Sequence, residues 1–294
     1  MLIQAKVLFI EEVCFVVNKQ IWRTLINEPH YVTDISEAFL SRLVTELDNE
    51  QVSAIILKGS CARGEETVYS DVDLTVFLDT EPVHSFHQRF YREGRLISVG
   101  THTFEYYRRC FSRPEEAIFV VPSTREARVL LDKDGMFRQL QQEAKDWTWK
   151  PLQEAANRYA CEIMLEHTEI ALKAIRALLV QDASALAEMT LLLFNAVTSA
   201  LAVQRGILSE SGNSYFRQVQ ESVGLNTTWA HLHSVIAGIH APLGTDNEAE
   251  IRGIMALDLY QETACLLQPI LQTSEHGKVV LQTSKLIDEA LARE

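Results

Sequence analysis

The amino-acid sequence predicts an α+β protein, with a mixed sheet and flanking helices over residues 1–150 and an all-helical bundle over residues 151–294. Short apolar runs bounded by turn residues fill the first half, which is the pattern of buried strands. From Pro151 onward apolar residues recur every three to four positions over long segments, which is the pattern of packed helices. The change of texture falls at Lys150-Pro151, and the domain boundary is placed there.

Taken in order, residues before 31 carry no dominant period. Thr33 or Asp34 is positioned to cap a helix running to residue 47, with Ile35, Phe39, Leu40, Leu43 and Val44 on one face. Residues 52–57 read as a buried strand, Gly59-Ser60 as a turn, and residues 72–78 as a second strand. Glu93-Gly94 reads as the turn of a hairpin joining 86–92 to 96–103, followed by a helix over 103–111. Residues 128–131 form a further strand, closed by Asp132-Lys133-Asp134-Gly135, with a helix over 136–147. In the second half the clearest helices are 152–180 and 183–204. Others are expected at 214–223, 228–238, 248–273 and 277–292.

Composition narrows the function. A formal charge of -13 argues against general nucleic-acid binding, because a phosphate backbone is gripped mainly by clustered Lys and Arg. Residues 151–294 alone carry an acidic excess, which suits solubility and would attract a cationic small molecule. Cys14, Cys61, Cys110, Cys161 and Cys265 are scattered and form no Cys-x-x-Cys pair, so neither a disulfide framework nor a zinc site is expected. A reducing, cytoplasmic setting is the corresponding expectation. Glu11 and Glu12 interrupt the apolar run at 7–10, so no secretory signal is expected. The apolar run 191–203 is shorter than the roughly 20 residues that span a bilayer and reads as a buried helix, so no membrane association is expected.

Chemistry concentrates between residues 55 and 77. In a strand, residues two apart project from the same face, about 6.6 Å apart along the chain. Asp71 and Asp73 therefore lean the same way at one end of an apolar strand. Two such carboxylates repel one another unless a cation intervenes. Magnesium takes oxygen ligands, commonly one or two carboxylates completed by substrate phosphates and water, and this pair suits it. Gly59, at the end of the preceding strand, lets backbone N–H groups approach phosphate oxygens, and Ser60 adds a hydroxyl. A triphosphate on that turn would present its oxygens to the metal on Asp71 and Asp73.

Gly59-Ser60 followed by Asp71-Val72-Asp73 resembles the signature of the polymerase-beta-type nucleotidyltransferase superfamily. Within it, the pairing with a helical second half looks most like the nucleotidyltransferases that modify aminoglycoside antibiotics. The resemblance implies magnesium, a nucleoside triphosphate such as ATP, and transfer of the nucleoside monophosphate to an acceptor hydroxyl with release of pyrophosphate. A small, cationic acceptor is the expected partner. The relatives also include homodimers with shared sites. By analogy Glu169 would be the general base and Lys173, one turn later, would contact the phosphates, although Glu before Lys at this spacing is also an ordinary surface pair. Arg63 is a further phosphate-contact candidate, with solvation as the alternative. The family commonly has a third carboxylate on a neighbouring strand, and Ser98 stands there, with Glu105, Glu65 and Glu66 as substitutes. That departure leaves a nucleotide-binding protein with weakened catalysis as an alternative, beside an adenylyltransferase acting on a protein.

Overall fold

The computed structural model describes residues 35–80, 87–209, 211–239 and 247–292. The expected caps Thr33 and Asp34, the strand residue Phe86 and the first cysteine, Cys14, lie outside them. Helix α1 (Glu37–Leu47) is instead capped by Ser36, whose side chain accepts from the Phe39 N–H. An uncapped first turn leaves donors unsatisfied, and Ser one residue before Glu37 supplies an acceptor at the right distance.

Among the described residues, five strands form one sheet: β1 (Val52–Lys58), β2 (Val72–Leu78), β3 (His87–Arg92), β4 (Arg95–His102) and β5 (Arg128–Asp132). Their order is β3-β4-β2-β1-β5, with β2 and β4 parallel and the other neighbours antiparallel. The β3–β4 hairpin turns at Glu93-Gly94 as expected, both residues having positive φ, the backbone that matches the twist of a two-residue hairpin. Between β1 and β2 the chain makes the short helix α2 (Gly59–Arg63) where a simple turn was expected. Helices α3 (Phe104–Phe111), α4 (Pro114–Glu126) and α5 (Met136–Asp146) follow in the first half.

Strand alternation divides the core. Ile55, Leu57, Val72, Leu74, Ile97 and Val99 pack under α1. Ala54, Ile56 and Phe77 face the other way, against Phe104, Tyr107, Val121 and Phe137 of α3, α4 and α5. Helix α4 has no counterpart in the sequence reading. Its Ala117 and Val121 pack on the sheet, whereas Ile118 belongs to the core of the helical half. A helix buried on two sides shows no single apolar stripe, which is the signal that periodicity detects.

The remainder is helical: α6 (Gln153–Glu166), α7 (Thr168–Leu179), α8 (Ala183–Gln204), α9 (Tyr215–Val223), α10 (Thr228–Ile236), α11 (Glu248–Leu266), α12 (Gln268–Leu271) and α13 (Glu275–Leu291). The single helix expected over 152–180 is broken at His167. There the backbone departs from helical values (φ -94°, ψ 5°), the imidazole Nδ1–H joins the His167 N–H (3.2 Å) on the Ile163 carbonyl (2.8 Å), and the Thr168 hydroxyl donates to the carbonyl of Leu165 (2.7 Å). The helix expected over 248–273 ends at Leu266, just before α12 begins with Pro269 in its first turn, where the missing N–H costs no ladder bond. The last helix starts at Glu275, two residues earlier than expected, because Ser274 caps it. Helix α8 is long and apolar enough to cross a membrane by length and composition, and most of its apolar window is buried in the bundle.

Phe194, Trp229 and Tyr260 of this half are buried in the core. Trp229 is wholly enclosed, with its indole N–H donating to Thr263 (2.8 Å), and it stacks on His233. His233 has no exposed surface, and its bonds fit one neutral tautomer. Nε2–H donates to Thr198 (3.0 Å), whose own proton goes to the Phe194 carbonyl, while Nδ1 accepts from the Gln220 amide (2.9 Å). A second proton on Nδ1 would confront that amide, and burial pushes the His233 pKa down to about 4. The unfolded chain takes up this proton near pH 6.5, so stability is full above that value and falls as pH drops toward 4. We expect a loss of about 2 kcal/mol from this group between pH 8 and pH 5. Urea midpoints at the two pH values check it, and equal midpoints would contradict it.

Candidate functional site

Strand β1 is buried from Val52 to Leu57 and emerges at Lys58, so the chain leaves the sheet at Gly59. Gly59 has φ of +66°, where a side chain is strained. It is also pressed by a carboxylate, since a Cβ at this position would lie 2.9 Å from Asp73 Oδ2. The short helix α2 that follows is tied to the start of β2 by Cys61, whose Sγ–H donates to the Asp71 carbonyl (3.0 Å). Burial pushes the Cys61 thiol up to about 11, so it keeps its proton and the bond. In the intervening loop the Thr67 N–H donates to Ser70 Oγ (2.9 Å) and the Ser70 N–H returns to the Thr67 carbonyl (3.1 Å).

On β2, Asp73 is paired in register with Lys58 of β1 and with Ser98 of β4. Its pKa is raised, first by burial and then by the negative charge of Asp71, while Lys58 and Arg89 pull it back. Two carboxylates in mutual repulsion, one of them half-buried, are a fitting pair of ligands for one divalent cation. Among the described residues no group of three His, Cys, Asp or Glu side chains gathers to hold a metal. Ser98 does stand opposite Asp73. Glu105 is exposed in the first turn of α3, and Glu65 is engaged by Arg63. Glu66 is buried, with one oxygen accepting from the Ile35 N–H (3.2 Å) and the other lacking a hydrogen-bond partner among the described residues.

The other candidates fall in two places. Ser60 is half-buried at the start of α2, and its carbonyl accepts from the Glu65 N–H (3.0 Å), closing that helix. Arg63, at the end of α2, is held by Glu65 (2.7 Å) and by Glu126 of α4 (3.3 Å), so its charge is compensated inside the protein. Glu169 and Lys173 form a 2.8 Å ion pair with side chains 75% and 53% exposed. Their helix α7 packs on α6, α8, α11 and α13, and among the described residues no hydrogen bond or ion pair joins this pair to Asp71 or Asp73.

Sequence reasoning missed Lys58 and Arg89, which share the Asp73 face through strand register. It also missed His102, which follows on the same face of β4, stacks on Tyr106 at 4.7 Å and is pushed down to about 4 by burial, Lys58 and His87. The alternation of each strand was legible, but not which strands lie side by side.

Residues 40–125 match the family profile described as a nucleotidyltransferase domain. This span runs from α1 through β4 into the last turn of α4 and includes Gly59, Asp71 and Asp73. No curated protein matches the chain. Among solved structures, a nucleotidyltransferase-like protein from Exiguobacterium sibiricum 255-15 is similar, with 13% identity and a TM-score of 0.41 over 82% of this chain and 78% of that one. Residues 40–125 thus form a nucleotidyltransferase domain, and nucleotidyl transfer is the chemistry that this domain brings to the chain.

Proposed function

We propose that the protein transfers AMP from ATP to a hydroxyl of a small, cationic acceptor of the aminoglycoside type, with residues 1–150 as the catalytic domain and residues 151–294 as the acceptor-binding one. The observation that carries the reading is the seating of the Asp73 carboxylate against the bare α-carbon of Gly59, with the charge of Asp71 close enough to raise its pKa. A polyphosphate on the Gly59-Ser60 bend would then adjoin both acids. Asp71 and Asp73 would hold magnesium, which when bound offsets negative charge at the attacked phosphorus and on the departing pyrophosphate. Gly59 and Ser60 orient the triphosphate through backbone N–H groups and the hydroxyl, which converts an encounter into a positioned reaction. The acceptor hydroxyl gives its proton to a general base, the role that the family resemblance assigns to Glu169, as its oxygen forms the new bond to the α phosphorus; the bond to the bridging oxygen breaks, and pyrophosphate leaves with that oxygen. A cationic acceptor is supported by the overall charge of -13.

A second reading, nucleotide binding with weak or no turnover, is favoured by Ser98 opposite Asp73 and by the lack of a third gathered acid among the described residues. One experiment separates the two. The protein is incubated with magnesium, each labelled triphosphate and a panel of hydroxylated cations, while pyrophosphate and labelled acceptor are measured. We expect acceptor-dependent pyrophosphate release with ATP. Binding of ATP without any product would favour the second reading, and absence of both would overturn the two together.

A further inference from the structure

The sheet face that carries Asp73 also carries cations, placed there by register. Lys58 on β1 lies opposite Asp73, Asp73 opposite Ser98 on β4, and Ser98 opposite Arg89 on β3. The four residues form one row across four adjacent strands. The other side of the sheet fixes which way β3 points. Phe90 packs in the cluster under α1, and Arg92 is ion-paired with Glu46 of that helix at 2.9 Å. Alternation therefore turns Arg89 to the opposite face, that of Asp73. Strands lie about 4.8 Å apart, so Arg89 stands roughly 10 Å from Asp73 with only a serine hydroxymethyl between them. The guanidinium can lean across it, and its charge is felt at Asp73.

A divalent ion on Asp71 and Asp73 would cancel their charge and leave Lys58 and Arg89 as uncancelled positive charge on either flank. Such a row calls for a polyanion. Resting on the nucleotidyl-transfer reading of the site, we infer that Arg89, reaching across Ser98, binds the polyphosphate of the nucleotide directly, with Lys58 on the opposite flank. Arginine suits the role because its planar fork bonds two phosphate oxygens at once. The site then holds triphosphate partly through a fixed organic cation, and some affinity survives removal of metal.

The test is calorimetry on the full chain with an ATP analogue carrying methylene between the α and β phosphorus, in EDTA and in magnesium, with AMP as the comparison ligand. Wild type is expected to bind the analogue in EDTA. Arg89→Ala should weaken that binding about tenfold or more and leave AMP affinity unchanged, with Arg89→Lys in between. Arg89 is exposed on an edge strand, so its replacement leaves the fold intact. Ser98→Asp, which would pair with Arg89, should reduce the metal-free affinity in the same way. Equal binding by wild type and Arg89→Ala in EDTA, or wild-type binding only with magnesium, overturns this inference while pyrophosphate release sustains the transfer reading. If wild type neither binds the analogue nor releases pyrophosphate under any condition, both fall.

Discussion

Asp73→Asn is expected to reduce acceptor-dependent pyrophosphate release about 10³-fold, equivalent to about 4 kcal/mol of transition-state stabilisation, without lowering the thermal midpoint. Loss of activity follows because the amide carries no charge to hold a divalent cation, and it is that cation that would offset the negative charge building on the leaving pyrophosphate. The stability half of the result has the opposite origin. Burial and the charge of Asp71 both raise the Asp73 pKa. An acid whose folded pKa exceeds its unfolded value weakens the fold above the unfolded value and ceases to do so once protonated in acid. Asparagine removes that burden at neutral pH, so the midpoint should stay level or rise. Melting curves and a pyrophosphate assay on the same preparation check both halves. Activity retained within tenfold of wild type would remove Asp73 from the chemistry, and a sharply lowered midpoint would show that the carboxylate is structural.

Gly59→Ala should lower turnover by about 10- to 100-fold and stability by only about 1–2 kcal/mol. The stability cost comes from placing a Cβ at φ of +66°. Its effect on turnover comes from the neighbour it would meet, since the new methyl stands 2.9 Å from Asp73 Oδ2 and the carboxylate must move. The tip of an aspartate side chain can swing aside cheaply, but doing so displaces the group that the reaction needs. Gly64→Ala is the control. Gly64 has φ of +69° and nothing within 4 Å of an added Cβ, so it carries the same backbone strain with no carboxylate to displace. Comparable destabilisation with full activity in Gly64→Ala, against lost activity in Gly59→Ala, is the expected pattern. Equal activity in the two variants would show that contact with Asp73 is irrelevant to turnover.

Glu169 and Lys173 illustrate how far an isolated sequence pattern extends. Their spacing of four was correctly read as sharing a helix face, and they pair at 2.8 Å. The same spacing is what any exposed Glu-Lys pair adopts, worth about 0.3–0.5 kcal/mol. On an exposed face of α7 they have the surface character that the spacing alone already allowed. Arg63 makes a related point, because this arginine beside a phosphate-type bend ends helix α2 and is paired with Glu65 and Glu126. Glu126 is 63 residues away, and no local pattern could have announced it.

By itself the sequence determined the α+β layout, the strands on either side of Gly59-Ser60 and the hairpin at Glu93-Gly94, and it set Asp71 and Asp73 two residues apart at the start of β2, with Asp71 just before the strand. All of these follow from local rules: strand period, glycine conformation and helical repeat. The tertiary structure alone decided that Asp73 rests on Gly59, that Ser98 and Arg89 extend its row, that α4 lies between two cores, and that α7 starts afresh at Thr168. The first three depend on which elements become neighbours, contacts that join residues far apart in the chain, where periodicity carries no information; the break before α7 is local, but it leaves the apolar period unchanged and so gives that period no signal.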